Sequence, residues 1–584
     1  MKILSNQISY QTNLPKKAVV QLGQKVNDLH FQLVDEQNIP VYDGVMVEVG
    51  HVDQWHTGFY YTIDFSDFVK TGKYYLVLAN EPDRSHPIFI DEGQKDLRLV
   101  SALTYWFKGQ RATGEWGASD KHAEFMGDRE GTLDIHGGWF DATGDVGVHT
   151  SHQSHTAFYN PQQMAFSAYA FYQLAEQLKH ASPNYTAVKR RILDEATYGA
   201  DSVMRRFVPE RAFIKSVDRP NAYYVVEDSR KMGFELHHSS DQFGEASTRD
   251  QEVVTDLNYE TSFRSGGGTA IAALAIAGRH YYPSAQFTSG QYIETAKKAY
   301  HYLEEHNSEL TNDGKDNLID YYCALLACVE LYKTTEEYGY LLHARDWAQK
   351  INQSLTNING YDWLNVAPEM PYFHPSDEGL PVFALLLYSE IENDQSAAEK
   401  AVNTATILFK SLLKLSHDTN NPFDYPRMIA KNKATDKANE QFFFPHHTAA
   451  DPWWQGENAR LASLATAAFK LAQSSNNNEF KHELITFGQA QLNWIEGCNP
   501  YDASMIEGFG YNHIQYHFGD RLDFLNAPGG IVNGITSGID NEHDIGFIKG
   551  PEDGVADNWR WAEQWIPHVS WALLALGEKD KLNQ

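Results

Sequence analysis

Three carboxylates carry the chemistry in this sequence. Asp141 and Asp145 lie four residues apart in GGWFDATGDVGVH, residues 137 to 149, behind a glycine pair and beside Trp139. Glycines 137, 138, 144 and 147 admit backbone angles that other residues avoid, so the stretch predicts a tight surface loop. Paired carboxylates raise each other's proton affinity or jointly orient a water, which suits hydrolytic acid–base work. An Asp-rich turn or a cation-binding loop is the other reading of the same residues. The third carboxylate, Glu563, sits among Trp559, Trp561 and Trp565 in ADNWRWAEQWIPHVSWALLAL. An apolar setting raises a carboxyl pKa toward that of a general acid, whereas the ordinary case is a solvated carboxylate on a helix surface. One acid and a water-activating pair together meet the needs of glycoside hydrolysis.

These residues need a large scaffold. A chain of 584 residues is too long for one small core, so two or more units are expected. Residues 1 to 92 look all-β: KAVVQL, HFQLVD, FYYTIDF, KYYLVLA and HPIFI are short strands divided by turn signals. Val45, Val47 and Val49 alternate with Met46 and Glu48, the period of a half-buried strand. Such spacing predicts a β-sandwich of immunoglobulin type.

From residue 93 to 584 the period becomes helical, as in Met164, Ala168, Phe171, Ala175 and Leu178. About twelve helical segments follow, the last over 557–577 with Glu563 in its first turns. Twelve helices fit six hairpins closed into an (α/α)6 barrel, with a helical solenoid as the alternative. The connections at 208–266, 417–455 and 498–556 far exceed ordinary loop lengths, and a binding site is expected on them.

The composition narrows the partners. With 48 basic and 77 acidic residues the net charge is −29, which argues against nucleic acid and anionic membranes. The start, MKILSNQISYQ, lacks the apolar core of a signal peptide, and no run of eighteen apolar residues occurs, so a soluble cytoplasmic protein is expected. Cys323, Cys328 and Cys498 form neither a disulfide framework nor a zinc pattern.

Aromatic and imidazole rings supply candidate sugar contacts. Trp139 lies beside the acidic loop, and His446 with Trp454 suggests a platform of ring faces and polar tips. His149, His152 and His155 step by three, which admits a metal, hydrogen bonds around a sugar, or plain loop packing. No metal or other cofactor is assigned.

The chain resembles glycoside hydrolase family 9, in the subgroup with an N-terminal immunoglobulin-like domain. GGWFDATGDVG is similar to that family's G-G-W-Y-D-A-G-D loop. SFRSGGGTAIAALAIAG, HPSDEGLPVFALL, WWQGENARLASLATAAFKLA and NWIEGCNPYDASMIEGFG resemble its landmarks in order. WAEQWIPHVSWALLALG resembles its terminal acid-bearing segment, and NQISYQTNLPKKAVVQL with DFSDFVKTGKYYL its β-domain. The resemblance implies that Glu563 is the general acid, Asp145 the base and Asp141 its partner, with inversion at the anomeric carbon. The family has two residues between its aspartates, whereas this chain has Ala142, Thr143 and Gly144, which leaves the division between Asp141 and Asp145 open. His517 and Arg521 fall where the family carries a substrate loop.

Within the family the pattern looks most like the exo-β-glucosaminidase branch of bacterial chitin breakdown, which releases glucosamine from the non-reducing end of short β-1,4-linked chito-oligosaccharides. A cellodextrinase or endoglucanase, a β-glucosidase, a non-catalytic sugar-binding protein and a metal-dependent hydrolase built on the three histidines are the alternatives. The acid-rich segment 227–252 is a candidate for closing the cleft around a chain end.

Overall fold

The computed structural model describes residues 1–79, 81, 83–152, 158–178, 183–218, 230–233, 258–433, 435–448, 454–517, 526–550, 553, 555 and 557–582. Nine strands come first: β1 (Lys2–Leu4), β2 (Tyr10–Gln11), β3 (Lys17–Leu22), β4 (His30–Val34), β5 (Pro40–Val45), β6 (Val47–Gly50), β7 (Phe59–Asp64), β8 (Gly72–Leu78) and β9 (Ile88–Asp91). They form two sheets, ordered β1-β3-β7-β6 and β2-β9-β8-β4-β5, around a core that includes Phe31, Leu33, Tyr61, Ile63 and Leu76.

The alternation at 45–49 does not mark one strand with a buried valine face. Val45 and Val47 are 57% and 63% exposed while Met46 is 2% exposed. The chain passes from one sheet to the other at Met46, and its side chain fills the sandwich at the crossing. A sheet change preserves the alternation of residue types but not the face that it marks.

Twelve long helices follow among the described residues: α1 (Gln94–Gly109), α2 (Met164–Gln177), α3 (Pro183–Arg206), α4 (Gly268–Arg279), α5 (Ser289–His306), α6 (Leu318–Thr335), α7 (Tyr338–Gln353), α8 (Leu380–Ser389), α9 (Gln395–His417), α10 (Asn458–Ser474), α11 (Asn478–Ile495) and α12 (Ile566–Lys581). Their sequences sort them into two rings. In α4, GTAIAALAIAGR, every residue from Gly268 to Gly278 is buried, as an inner helix with neighbours all round requires. In α5 only Tyr292, Ala296, Ala299, Tyr300 and Leu303 are buried, one stripe of an outer helix. The even-numbered helices pack in a closed cycle, α2-α4-α6-α8-α10-α12 and back to α2. The odd-numbered helices clothe them, which makes an (α/α)6 barrel.

The connections are unequal, and that asymmetry creates the site. Segments leading from an inner helix to its outer partner are short, such as 336–337 and 475–477. Five of the six segments entering the inner helices are long, at 110–163, 207–267, 354–379, 418–457 and 496–565, and their described parts gather at one end of the barrel. The expected loops are not bare: 428–431 pairs with 438–441 and 536–537 with 545–546. Strands β10 (Ala123–Phe125), β11 (Thr132–Leu133), β12 (Val148–His149), β13 (Ser216–Asp218) and β14 (Lys231–Gly233) form one small sheet, ordered β11-β10-β14-β13-β12.

The sandwich docks on the barrel through polar and ring contacts. Asn6 Nδ2 donates to Asn493 Oδ1 at 2.9 Å and also to Glu496 Oε2, and Trp55 stacks on Phe443 at 5.6 Å. No helix among the described residues is long and apolar enough to cross a membrane.

Candidate active site

Asp141 and Asp145 precede the first inner helix, and Glu563 precedes the last. Closure of the ring between α12 and α2 brings them together across the chain. The 137–149 stretch is a folded loop: Asp141 N–H donates to the Gly147 carbonyl at 2.9 Å, and Asp145 N–H to that of Ala142 at 3.2 Å. Two glycines are indispensable there. Gly144 turns the chain at φ +92°, and Gly138, at φ +80°, has Val148 Cγ1 only 2.8 Å from where a Cβ would stand.

Glu563 does not lie on a helix, contrary to the expectation of one helix over 557–577. A short turn, Trp559–Ala562, ends before it, and Glu563 is extended at φ −67°, ψ 131°. The long helix begins at Ile566 with Pro567 in its first turn. Residues 563 to 565 form a strand-like splint between two other segments. On one side Asn533 N–H donates to the Glu563 carbonyl at 2.8 Å; on the other Thr143 N–H donates to that of Gln564 at 2.8 Å, and Ile566 N–H to that of Asp141 at 3.1 Å. The acid and the aspartate loop are thus tied together through backbone.

An extended chain sends alternate side chains to opposite faces. Gln564 turns into the structure, where its Oε1 accepts from Trp106 Nε1 and Thr143 Oγ1, both at 3.0 Å. Thr143, one of the three residues between the aspartates, is therefore tied to the acid-bearing splint. Trp565, on the face shared with Glu563, donates its indole N–H to Asp141 Oδ1 at 2.9 Å.

The carboxylates differ in setting. Asp141 is 6% exposed and accepts from both Trp565 Nε1 and Gln163 Nε2. Burial, and then the charge of Asp145, pushes its pKa well above the usual aspartate range. Asp145 is half-buried and is fixed by the Gly147 N–H, which donates to its Oδ1 at 2.8 Å. Glu563 is half-buried too, and its pKa is pushed well up by burial and then by Asp141, Asp145 and Asp557. The Asn533 side chain opposes the shift, and His568 holds that amide through Nε2 at 2.8 Å from Asn533 Oδ1. The arrangement can present a proton from Glu563 and accept one at the aspartate loop.

Asp557 gives the electrostatics a handle. Its own pKa is pushed up to about 6, mainly by burial, and its ionised form helps to hold the proton on Glu563. Asp557→Asn should therefore move the alkaline limb of the kcat profile to lower pH. Variant and wild type should converge below about pH 6, where Asp557 is protonated anyway. A limb that stays in place or moves upward would contradict this coupling.

Several expected ring contacts have other work. Trp139 is 0% exposed; it packs on Phe107 and Phe171 and donates its indole N–H to Glu195 Oε2 at 3.2 Å. It anchors the loop in the core and offers no face to a sugar. Trp454 is 2% exposed, with His446 stacked on it at 3.9 Å and the Arg560 guanidinium over its ring at 4.3 Å. This stack braces Trp561, which meets Trp454 edge-on at 5.9 Å, rather than forming an open platform. His517 is 0% exposed and lies 3.0 Å by Nε2 from the Val555 carbonyl, supporting the acid-bearing segment from behind. Arg521 and His155 lie outside the described residues, as does segment 227–252 apart from 230–233. His149 is buried, and His152 meets Trp565 edge-on at 6.1 Å. Among the described residues no group of three His, Cys, Asp or Glu side chains is arranged to hold a metal.

Gln163, Asn533, Gln564 and Asp557 are the participants that the sequence did not disclose. Amides and a lone Asp in loops carry no periodic signal, and only the folded register reveals their partners.

A helical barrel with a β-sandwich at its N-terminal side, and an acid facing an aspartate pair at one barrel end, defines a hydrolase framework. Residues 98–521 match the glycosyl hydrolase family 9 profile and residues 1–82 the cellulase N-terminal ig-like domain. The chain belongs to glycosyl hydrolase family 9. It is 28% identical over 158 residues to a cellodextrinase of Butyrivibrio fibrisolvens, a match that spans 26% of this chain and 28% of that protein. A metagenome-derived family 9 endoglucanase has the same fold, with TM-score 0.66, 16% identity and 99% of both chains covered. A family 9 protein of Bacteroides ovatus gives TM-score 0.65 at 17% identity, covering 100% of this chain and 99% of its own.

Proposed function

We propose that this enzyme hydrolyses β-1,4-linked oligosaccharides with inversion. Glu563 donates its proton to the leaving oxygen as the glycosidic C–O bond breaks. Asp145 takes a proton from the water that attacks the anomeric carbon from the opposite face, and Asp141 helps to hold that water. The observation that carries the proposal is the splint of residues 563–565, bonded along its backbone to the aspartate loop, with the pKa of Glu563 raised by burial and by the neighbouring aspartates. The greater openness of Asp145 supports it as the base, since Asp141 is already occupied by Trp565 and Gln163.

A cellodextrin is the substrate that the comparisons support, through the cellodextrinase relative and the endoglucanase fold. A second reading is an exo-acting β-glucosaminidase. Its support is the acidity around Glu563, where Asp141, Asp145 and Asp557 all bear on one carboxyl; such a field suits an ammonium group.

A release assay on cellobiose, cellotetraose, chitobiose, diglucosamine and glucosaminyl-N-acetylglucosamine decides between them. Under the cellodextrinase reading, kcat/KM on cellotetraose exceeds that on each amino sugar by at least about tenfold, worth roughly 1.4 kcal/mol of transition-state binding. The reverse ranking, with glucosaminyl-N-acetylglucosamine ahead, would transfer the enzyme to the glucosaminidase reading. Binding with no cleavage of any of the five would instead favour a sugar-binding protein.

A further inference from the structure

Behind the aspartate loop lies a buried cationic cluster that the proposed hydrolysis does not use. Arg206 ends α3 and is 0% exposed. Its Nε, Nη1 and Nη2 all lack a hydrogen-bond partner among the described residues. The nearby carboxylate is already engaged: Asp120 binds Arg230 through both oxygens, with Nε to Oδ1 at 3.1 Å, and both side chains are 0% exposed. Two buried guanidinium groups therefore bear on one buried carboxylate.

Among the described residues, Asp120 is the carboxylate that bears on Arg206. Burial, and then the charges of both arginines, push the pKa of His149 down to about 3 and keep its ring neutral. Its Nε2 is 3.9 Å from Asp218 Oδ2, a carboxylate that is 29% exposed. Its Nδ1 lacks a partner among the described residues, as does Oγ of Ser216, which pairs with His149 across β12 and β13. Directly paired strand residues share a sheet face, so these two polar groups lie side by side. A guanidinium with no hydrogen bonds and no counter-ion of its own is costly to bury.

We infer that the buried Arg206 guanidinium, which has no hydrogen-bond partner among the described residues, binds a small monovalent anion of the halide class. Strand β12 continues directly from the aspartate loop, one residue after Gly147, whose N–H holds Asp145. Arg206 is tied to the same sheet through its carbonyl, which accepts from Ile214 N–H at 2.9 Å two residues before β13, the partner of β12. The inference concerns charge balance and is independent of which sugar is cleaved.

The test is thermal unfolding of the full-length protein in sodium gluconate, with chloride or bromide substituted at constant ionic strength. Wild-type Tm should rise saturably with halide, by about 2 °C or more at saturation. Arg206→Met keeps bulk but removes the charge, so its Tm should be flat with halide and no lower than that of halide-free wild type. An anomalous peak beside Arg206 in a bromide-soaked crystal of the wild type is the second readout, and it decides alone if the variant does not fold. A wild-type Tm indifferent to halide, an undiminished halide response in Arg206→Met, or a bromide map without that peak would overturn the inference.

Discussion

Glu563→Gln should lower kcat on a natural oligosaccharide by about 10²–10⁴-fold, the range that general acid help commonly provides. The amide keeps the shape of the side chain but has no acidic proton to give. A sugar hydroxyl is a poor leaving group and needs that proton, whereas a dinitrophenolate hardly does. The same variant should therefore retain most of its activity on a dinitrophenyl glycoside, and equal losses on both substrates would remove Glu563 from the acid role. Stability should move the other way. A carboxyl whose pKa is raised by folding holds its proton in the folded state after the unfolded chain has lost it. Its burden on stability is absent below the unfolded pKa and grows as pH rises toward the folded value. Glu563→Gln should accordingly unfold at a higher temperature than wild type at pH 7 to 8, as expected where activity and stability compete.

Asp145→Asn should be as damaging, about 10²–10⁴-fold in kcat, and here the dinitrophenyl substrate should give no relief because the attacking water has lost its base. Azide, which needs no base, should restore turnover to this variant and leave a glycosyl azide of inverted configuration. Asp141→Asn should also be slow but rescued poorly. Its carboxylate accepts from Trp565 and Gln163, so the change disturbs two donors that hold the loop to the splint. Stronger rescue of Asp141→Asn than of Asp145→Asn would exchange the two roles.

Sequence periodicity identified most of the scaffold because each element repeats a simple pattern. β3 occupies KAVVQL as expected, and the twelve long helices follow the predicted segments closely, except the last. That segment misled because no glycine or proline interrupts 557–566, so nothing before Pro567 breaks the run through Glu563. Pro567 carried the contrary signal: proline favours a helix's first turn, and here it marks where the chain restarts after the extended splint.

The three carboxylates that meet at the barrel end stand out in the loop motif and the resemblance, whereas the burial of the ring residues does not. Trp139, Trp454 and His517 have the side chains that bind sugars, but a residue type does not disclose the face that burial will take. In this chain those rings brace the loop and the acid-bearing segment from within. The amide of Gln564 becomes visible only once residues more than four hundred apart meet, as it does with Trp106 and Thr143, and that of Asn533 only once its loop folds back on Glu563 and His568.

Inversion by one proton donor and one water-activating pair is the central claim, and the anomer first released tests it most directly. Proton NMR should be recorded within the first minutes of hydrolysis by the wild type, before mutarotation mixes the anomers. The account predicts the α-anomer from a β-linked oligosaccharide, appearing first and decaying to the equilibrium mixture. Initial release of the β-anomer would require a covalent glycosyl-enzyme and two displacements, and would contradict the roles given to Asp145 and Glu563.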